Sequence, residues 1–225
     1  MRSLLEGVKR YEATKRRRYS SRFAALASGQ EPLALFITCS DSRIVPSLLA
    51  LSDPGQLFVV RNVANLVPPH VPDAEASDVS VSSAVWYALE VLKIREVIVC
   101  GHSGCGGVQA LLSGNPPAPL KRWLAPAASA VDAWRERGPL DPSYADNDQL
   151  SQVSTLTQVR NLETYDHVRA RVEAGEVRLH AWWFDIPSAR LLAYSKESNR
   201  YVPILETEDE RGSRRDTTIS TAEAE

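Results

Sequence analysis

Three short stretches of the chain are apolar without polar alternation: residues 33–38 (LALFIT), 56–61 (QLFVVR) and 97–100 (VIVC). Strands covered on both faces read this way, so the pattern predicts buried strands of a parallel sheet. Between the second and third lie Val81, Val85, Ala88, Leu89 and Leu92, spaced to share one face of a helix. The order strand, connection, strand, helix, strand predicts an α/β fold, a mostly parallel central sheet flanked by helices. Further on, residues 119–137 predict a helix interrupted or started near Pro126. Leu156, Val159, Leu162 and Val172 mark a later helix that stops near Gly175. Residues 177–184 predict another strand, with a hairpin-like return through Pro187 to 191–194. No internal repeat is present.

The two ends of the chain break the pattern. Residues 1–30 are polar with scattered apolar positions (Leu4, Leu5, Val8, Tyr11, Phe23, Leu26) and predict an N-terminal helical arm. Such an arm has no core of its own and should pack on the main domain or on a second subunit. Residues 206–225 are charged and polar and predict a disordered tail. The domain expectation is therefore an arm over 1–30, an α/β catalytic domain over 31–205, and a tail over 206–225.

Composition narrows the partners. At 225 residues and 44% hydrophobic, the chain can build one substantial core. A net charge of -2 carries no basic excess, which argues against nucleic acid. The run Lys15-Arg16-Arg17-Arg18 reads as a solvated helix face. No apolar run is long enough to span a bilayer, so no membrane partner is expected. The N-terminus lacks the pattern of a secretory signal, so a cytoplasmic location is expected. Three cysteines make a poor disulfide framework and point to metal or catalysis instead.

The reactive residues fall where strands end. The first strand runs into Cys39-Ser40-Asp41-Ser42-Arg43, and the third into Gly101-His102-Ser103-Gly104-Cys105-Gly106-Gly107. Ligands of open parallel sheets bind outside the carboxyl ends of strands, which would bring Cys39 near His102 and Cys105. Two thiolates and an imidazole suit one zinc ion, with a fourth position left for water. Such soft donors disfavour magnesium and calcium. Cys100, inside the apolar run, reads as core. Asp41 and Arg43 read either as a surface ion pair or as a buried charge-assisted pair beside the metal. In the second case Arg43 holds the carboxylate, and Asp41 either orients the metal's water or swings onto the metal as a fourth ligand. Both roles of Asp41 are open at this stage.

Cys39-x-Asp41-x-Arg43 with His102-x-x-Cys105 resembles the beta-class carbonic anhydrases. The segments 40–46 (SDSRIVP), 61–65 (RNVAN) and 101–107 (GHSGCGG) resemble that family in the right order, over roughly residues 1–196. The resemblance implies reversible zinc-dependent hydration of carbon dioxide to bicarbonate and a proton, with activated water as nucleophile. It implies one zinc per chain on Cys39, His102 and Cys105, with Asp41 and Arg43 catalytic. It also implies a homodimer or higher homo-oligomer, with the active site at the dimer interface and the arm wrapping the partner. The plant-like subgroup lines its substrate pocket with glutamine, phenylalanine and tyrosine, matched here by Gln30, Phe58 and Tyr87. A second subgroup binds bicarbonate at a regulatory site through a tryptophan and a tyrosine. Phe36 and Phe184 stand in those places here, which argues for the constitutively open form. His180 and His167 read as structural and surface histidines, and His70 as a loop histidine or a proton carrier near the mouth. Two other readings stay open: a relative acting on carbon disulfide or carbonyl sulfide, and an interaction protein with structural zinc.

Overall fold

The computed structural model describes residues 1–50, 52–71 and 79–204. The chain begins with α1 (Arg2–Arg10), a π-turn (Tyr11–Lys15) and α2 (Arg16–Leu26), none with a buried residue. The sheet then starts with β1 (Ala34–Cys39), buried at all six positions, followed by the short α3 (Pro46–Leu49) and β2 (Leu57–Asn62). A 3-10 turn (Val63–Asn65) leads on, and after it come α4 (Val79–Trp86), a π-turn (Tyr87–Val91) and β3 (Glu96–His102). Helices α5 (Gly106–Leu112), α6 (Ala118–Leu124) and α7 (Ala128–Arg137) precede the long α8 (Asp146–Leu162) and α9 (Asp166–Glu173). Strands β4 (Arg178–Asp185), β5 (Arg190–Ser195) and β6 (Arg200–Pro203) close the sheet.

The sheet order is β2-β1-β3-β4-β5-β6. The first four strands are parallel, and β5 and β6 are antiparallel additions. Pleating sends alternate residues to opposite faces. Leu35, Ile37, Val97 and Val99 join Val81, Val85 and Leu89 of the α4 region and Leu162 and Val168 of α8 and α9 in the main core. Each such fully buried side chain contributes about 1.5–3 kcal/mol. Ala34, Phe36, Ile98 and Cys100 point to the other face, where Trp182 meets Phe36 edge-on at 6.0 Å. Val59, in register with Phe36 on that face, is 42% exposed.

Three elements differ from expectation. The late apolar spacing predicts one helix, but the chain forms two. Thr164 turns its hydroxyl onto the Asn161 carbonyl (2.6 Å), and Tyr165 has an extended backbone (φ -81°, ψ 119°). α8 also begins ten residues before Leu156, where its buried positions mix Leu150 and Val153 with the polar Gln149, Ser151, Gln152, Ser154 and Thr155. No apolar period announces such a helix. The strand β6 lies beyond the predicted hairpin, where Tyr201 is buried and its hydroxyl donates to the Gln152 carbonyl. The expected tail at 206–225 lies outside the described residues. Among the described residues, no helix is long and apolar enough to cross a membrane.

Candidate metal centre

β1 and β3 are parallel neighbours, with Thr38 opposite Cys100. Cys39 and His102 therefore end adjacent strands at the carboxyl edge of the sheet. Two residues past β3 the backbone turns at Gly104 (φ +61°), and Cys105 becomes the N-cap of α5. The donor atoms of Cys39, His102 and Cys105 all lie within 4.8 Å of one another, and all three residues are buried.

The donor chemistry of this cluster fits a metal. His102 Nδ1 lies 2.9 Å from the Ser103 carbonyl, so that nitrogen carries the proton and Nε2 presents its lone pair to the cluster. Nε2 is buried and has no hydrogen-bond partner, a cost that a cation in the cluster removes. The neighbouring Cys105 thiol pulls the Cys39 thiol well below the usual thiol range. The backbone N–H groups of Asp41 and Ala64 work in the same direction. The same contact with Cys39, together with burial, pushes Cys105 far up. The two shifts run in opposite directions, and a dication in the cluster would stabilise both sulfurs as thiolates. Cys100, by contrast, is buried on the opposite face and pushed up to about 12 by burial.

Asp41 stands at the rim. Arg43 Nε and Nη2 donate to its two oxygens at 2.9 and 2.7 Å, and the Arg43 N–H adds a third bond at 2.9 Å. These bonds hold the carboxyl well below the usual carboxylate range, so Asp41 is ionised at any working pH. Its Oδ2 is 4.0 Å from His102 Nε2, and Asp41 is not part of the three-donor cluster.

Supporting residues that carried no role in the sequence complete the site. Arg61 donates to the carbonyls of Cys39 (3.2 Å) and Asp41 (2.8 Å). Asn62 clamps the N–H and carbonyl of Leu66 at 2.7 and 2.9 Å. Within that clamp Ala64 and Asn65 take left-handed φ of 66° and 48°, a strain stored beside Cys39. From below, Ser151 donates to the His102 carbonyl (2.8 Å) and accepts from Trp183 Nε1 (3.0 Å). Position inside a matched segment was the only signal for Arg61, Asn62 and Ala64. Ser151 offered none.

Gln30, Phe58 and Tyr87 are not brought to this cluster. Phe58 sits opposite Leu35, four register steps before Cys39, on the order of 13 Å down the sheet. Tyr87 opens the π-turn after α4 and stacks on Phe58 at 5.9 Å, while Gln30 is exposed ahead of β1. Arg171 of α9 fastens that π-turn by donating to both oxygens of Glu90 (3.0 and 2.8 Å). His70 packs at a tilt on Tyr165, ring centroids 5.6 Å apart, beside an open cleft of about 730 Å³, which Tyr87 and His167 also line. His180 Nε2 is 2.7 Å from Glu96, far from the metal donors along the strand.

The fold is α/β, with a soft three-donor pocket able to hold a metal at the carboxyl edge of its parallel strands. A carbonic anhydrase family model matches residues 34–191. The carbonic anhydrase of Pseudomonas aeruginosa is 38% identical over 212 residues, covering 92% of this chain and 93% of that protein. The carbonic anhydrase of Synechocystis is 35% identical, covering 93% of this chain and 79% of the relative. Among solved structures, the beta-carbonic anhydrase CcaA superposes with a TM-score of 0.80 at 33% identity, over 90% of this chain and 91% of that one. A tetrameric beta-carbonic anhydrase of Sordaria macrospora reaches 0.71 at 28% identity, over 85% of this chain and 95% of that one. The chain belongs to the beta-class carbonic anhydrase family.

Proposed function

We propose that this chain is a zinc-dependent carbonic anhydrase that interconverts carbon dioxide with bicarbonate and a proton, acting as a dimer or higher oligomer. The observation that carries this reading is the buried Cys39-His102-Cys105 cluster, with an orphan imidazole nitrogen, beside a carboxylate held on both oxygens. Zinc bound there would supply a Lewis acid that brings the pKa of a water to about 7. Asp41, always ionised, offers an acceptor at the rim and orients the nucleophile by taking its hydrogen bond. Arg43 keeps that acceptor aimed. Both oxygens of Asp41 are engaged by Arg43, which favours the open form over a site closed by Asp41. The phenylalanines at 36 and 184 agree with that reading.

A second copy of the chain is part of the proposal. Gln30, Phe58 and Tyr87 are too far down the sheet to serve the metal of their own chain, so in an oligomer they would line the pocket of a partner. Phe58 and Tyr87 would supply an apolar wall for carbon dioxide, and the Gln30 amide would donate to bicarbonate. Val59 on the outer sheet face and Leu4, Leu5, Val8 and Phe23 on the arm are large apolar side chains left exposed, the surface an oligomer would cover.

Asp41→Ala separates metal binding from turnover. It should keep one zinc per chain by elemental analysis and lower kcat by about 10–100-fold in stopped-flow hydration assays. Turnover within twofold of the unsubstituted protein would remove Asp41 from the mechanism.

A further inference from the structure

The Asp41–Arg43 pair is itself held from elsewhere in the fold. The Arg43 side chain is 49% exposed, an environment in which an ion pair alone fixes little. What distinguishes it from a loose surface pair is a second acceptor. Arg43 Nη2 also donates to the Gly104 carbonyl at 3.0 Å. Gly104 is the turn residue between His102 and Cys105, with φ +61°, and its N–H donates to Asp148 Oδ1 at 2.7 Å. Asp148 lies in the first turn of α8, where a negative charge suits the helix dipole. Its carboxylate reaches out of the helix to a residue 44 positions away in sequence.

We propose that Asp148 is a positioning residue for the reaction, acting through Gly104 and Arg43 on Asp41. Rotation of the Gly104 turn would move the carbonyl that Arg43 Nη2 uses, and Asp148 blocks that rotation by holding the N–H of the same residue. Ser151, one helical turn later, holds the His102 carbonyl. The N-terminal half of α8 therefore grips the metal loop at two points, and the grip at Asp148 is the one connected to Asp41. This role rests on the function proposed above for the Asp41–Arg43 pair.

Asp148→Asn keeps an oxygen acceptor and removes the charge, whereas Asp148→Ala removes both. At full zinc content, the alanine variant should lose about tenfold or more in kcat with little change in KM, and the asparagine variant should stay within about threefold. In an Arg43→Ala background, Asp148→Ala should cost nothing further, because the two act in series. A second readout is independent of activity. Modification of Arg43 by phenylglyoxal, followed by peptide mass spectrometry, should speed up several-fold in Asp148→Ala and not in Asp148→Asn. If the alanine variant does not fold, Asp148→Gln displaces the acceptor by one methylene and carries the same expectations. Wild-type kcat in the alanine variant, equal losses in both variants, or unchanged Arg43 labelling would overturn the proposal. If the protein hydrated no carbon dioxide at all, the functional reading would fail, while the labelling would still decide whether Asp148 holds Arg43.

Discussion

Cys39→Ala should abolish metal binding and lower carbon dioxide hydration by about 10³-fold or more, beyond the roughly 100-fold that losing a supporting partner costs. Cys39 ends β1 and is 5% exposed, and its sulfur is one of the three clustered donors. Removing it leaves two donors, fewer than the three protein ligands that hold a catalytic zinc. Lost packing is the rival explanation, and Cys100→Ala controls for it. Cys100 is also a fully buried thiol near the end of a strand, but it points to the opposite face. That variant should keep one zinc per chain and near-normal turnover, at a modest cost in stability. Elemental analysis of the two purified proteins separates the explanations. Full zinc in Cys39→Ala, or its loss in Cys100→Ala, would refute the ligand assignment.

Gly101→Ala should be the most damaging single-methyl change in the sheet. A Cβ at Gly101 would meet Thr155 Oγ1 at 2.1 Å and Trp183 Cδ1 at 3.1 Å, so α8 cannot stay in place. Thr155 is fully buried and its hydroxyl is tied to the Ser151 carbonyl at 2.8 Å, so it has nowhere to turn. Overpacking of this kind costs about 2–3 kcal/mol. For a domain of this size that lowers Tm by about 5–10 °C, read by calorimetry. Displacing Ser151 would also disturb the carbonyl of His102, so turnover should fall with stability. Thr155→Ala removes the oxygen that the new methyl strikes, and in the double variant at least half of the lost Tm should return. A Gly101→Ala protein with unchanged Tm would show that α8 packs more loosely here than these contacts allow.

Much of this architecture was legible in the chain because the physics acts locally. The apolar runs ending at Thr38, Arg61 and Cys100 each became a strand within two residues of its expected end; β1 and β3 are buried as expected, but β2 is the sheet edge and has no fully buried position, with Val59 42% exposed. Cys39, His102 and Cys105 were legible for a related reason: strand ends at one edge of a parallel sheet converge, and glycines let the loop turn back. α8 was only half legible. Beside Leu150, Val153 and Leu162, its buried positions carry amides and hydroxyls, some of which bond the loops around the site, as Gln158 does with the Val67 N–H at 2.9 Å. Hydrophobic periodicity registers weakly in a helix where polar side chains fill most of the buried positions. Asp148 and Ser151 were hidden for the same reason, since their partners lie more than 40 positions away in sequence. Phe58 and Tyr87 show the limit of reading one chain. They stack on each other at the far end of the sheet, and the role proposed for them needs a second copy of the chain.

Stopped-flow hydration of carbon dioxide, on protein of measured zinc content from pH 6.5 to 9, bears most directly on the proposed function. Asp41 is already ionised throughout that range, so it contributes no inflection there. The rate should stand well above the buffer rate, rise with pH, vanish when a chelator removes zinc, and return when zinc is restored. One zinc per chain with no hydration at any pH would contradict the assignment and turn attention to carbon disulfide and carbonyl sulfide as substrates.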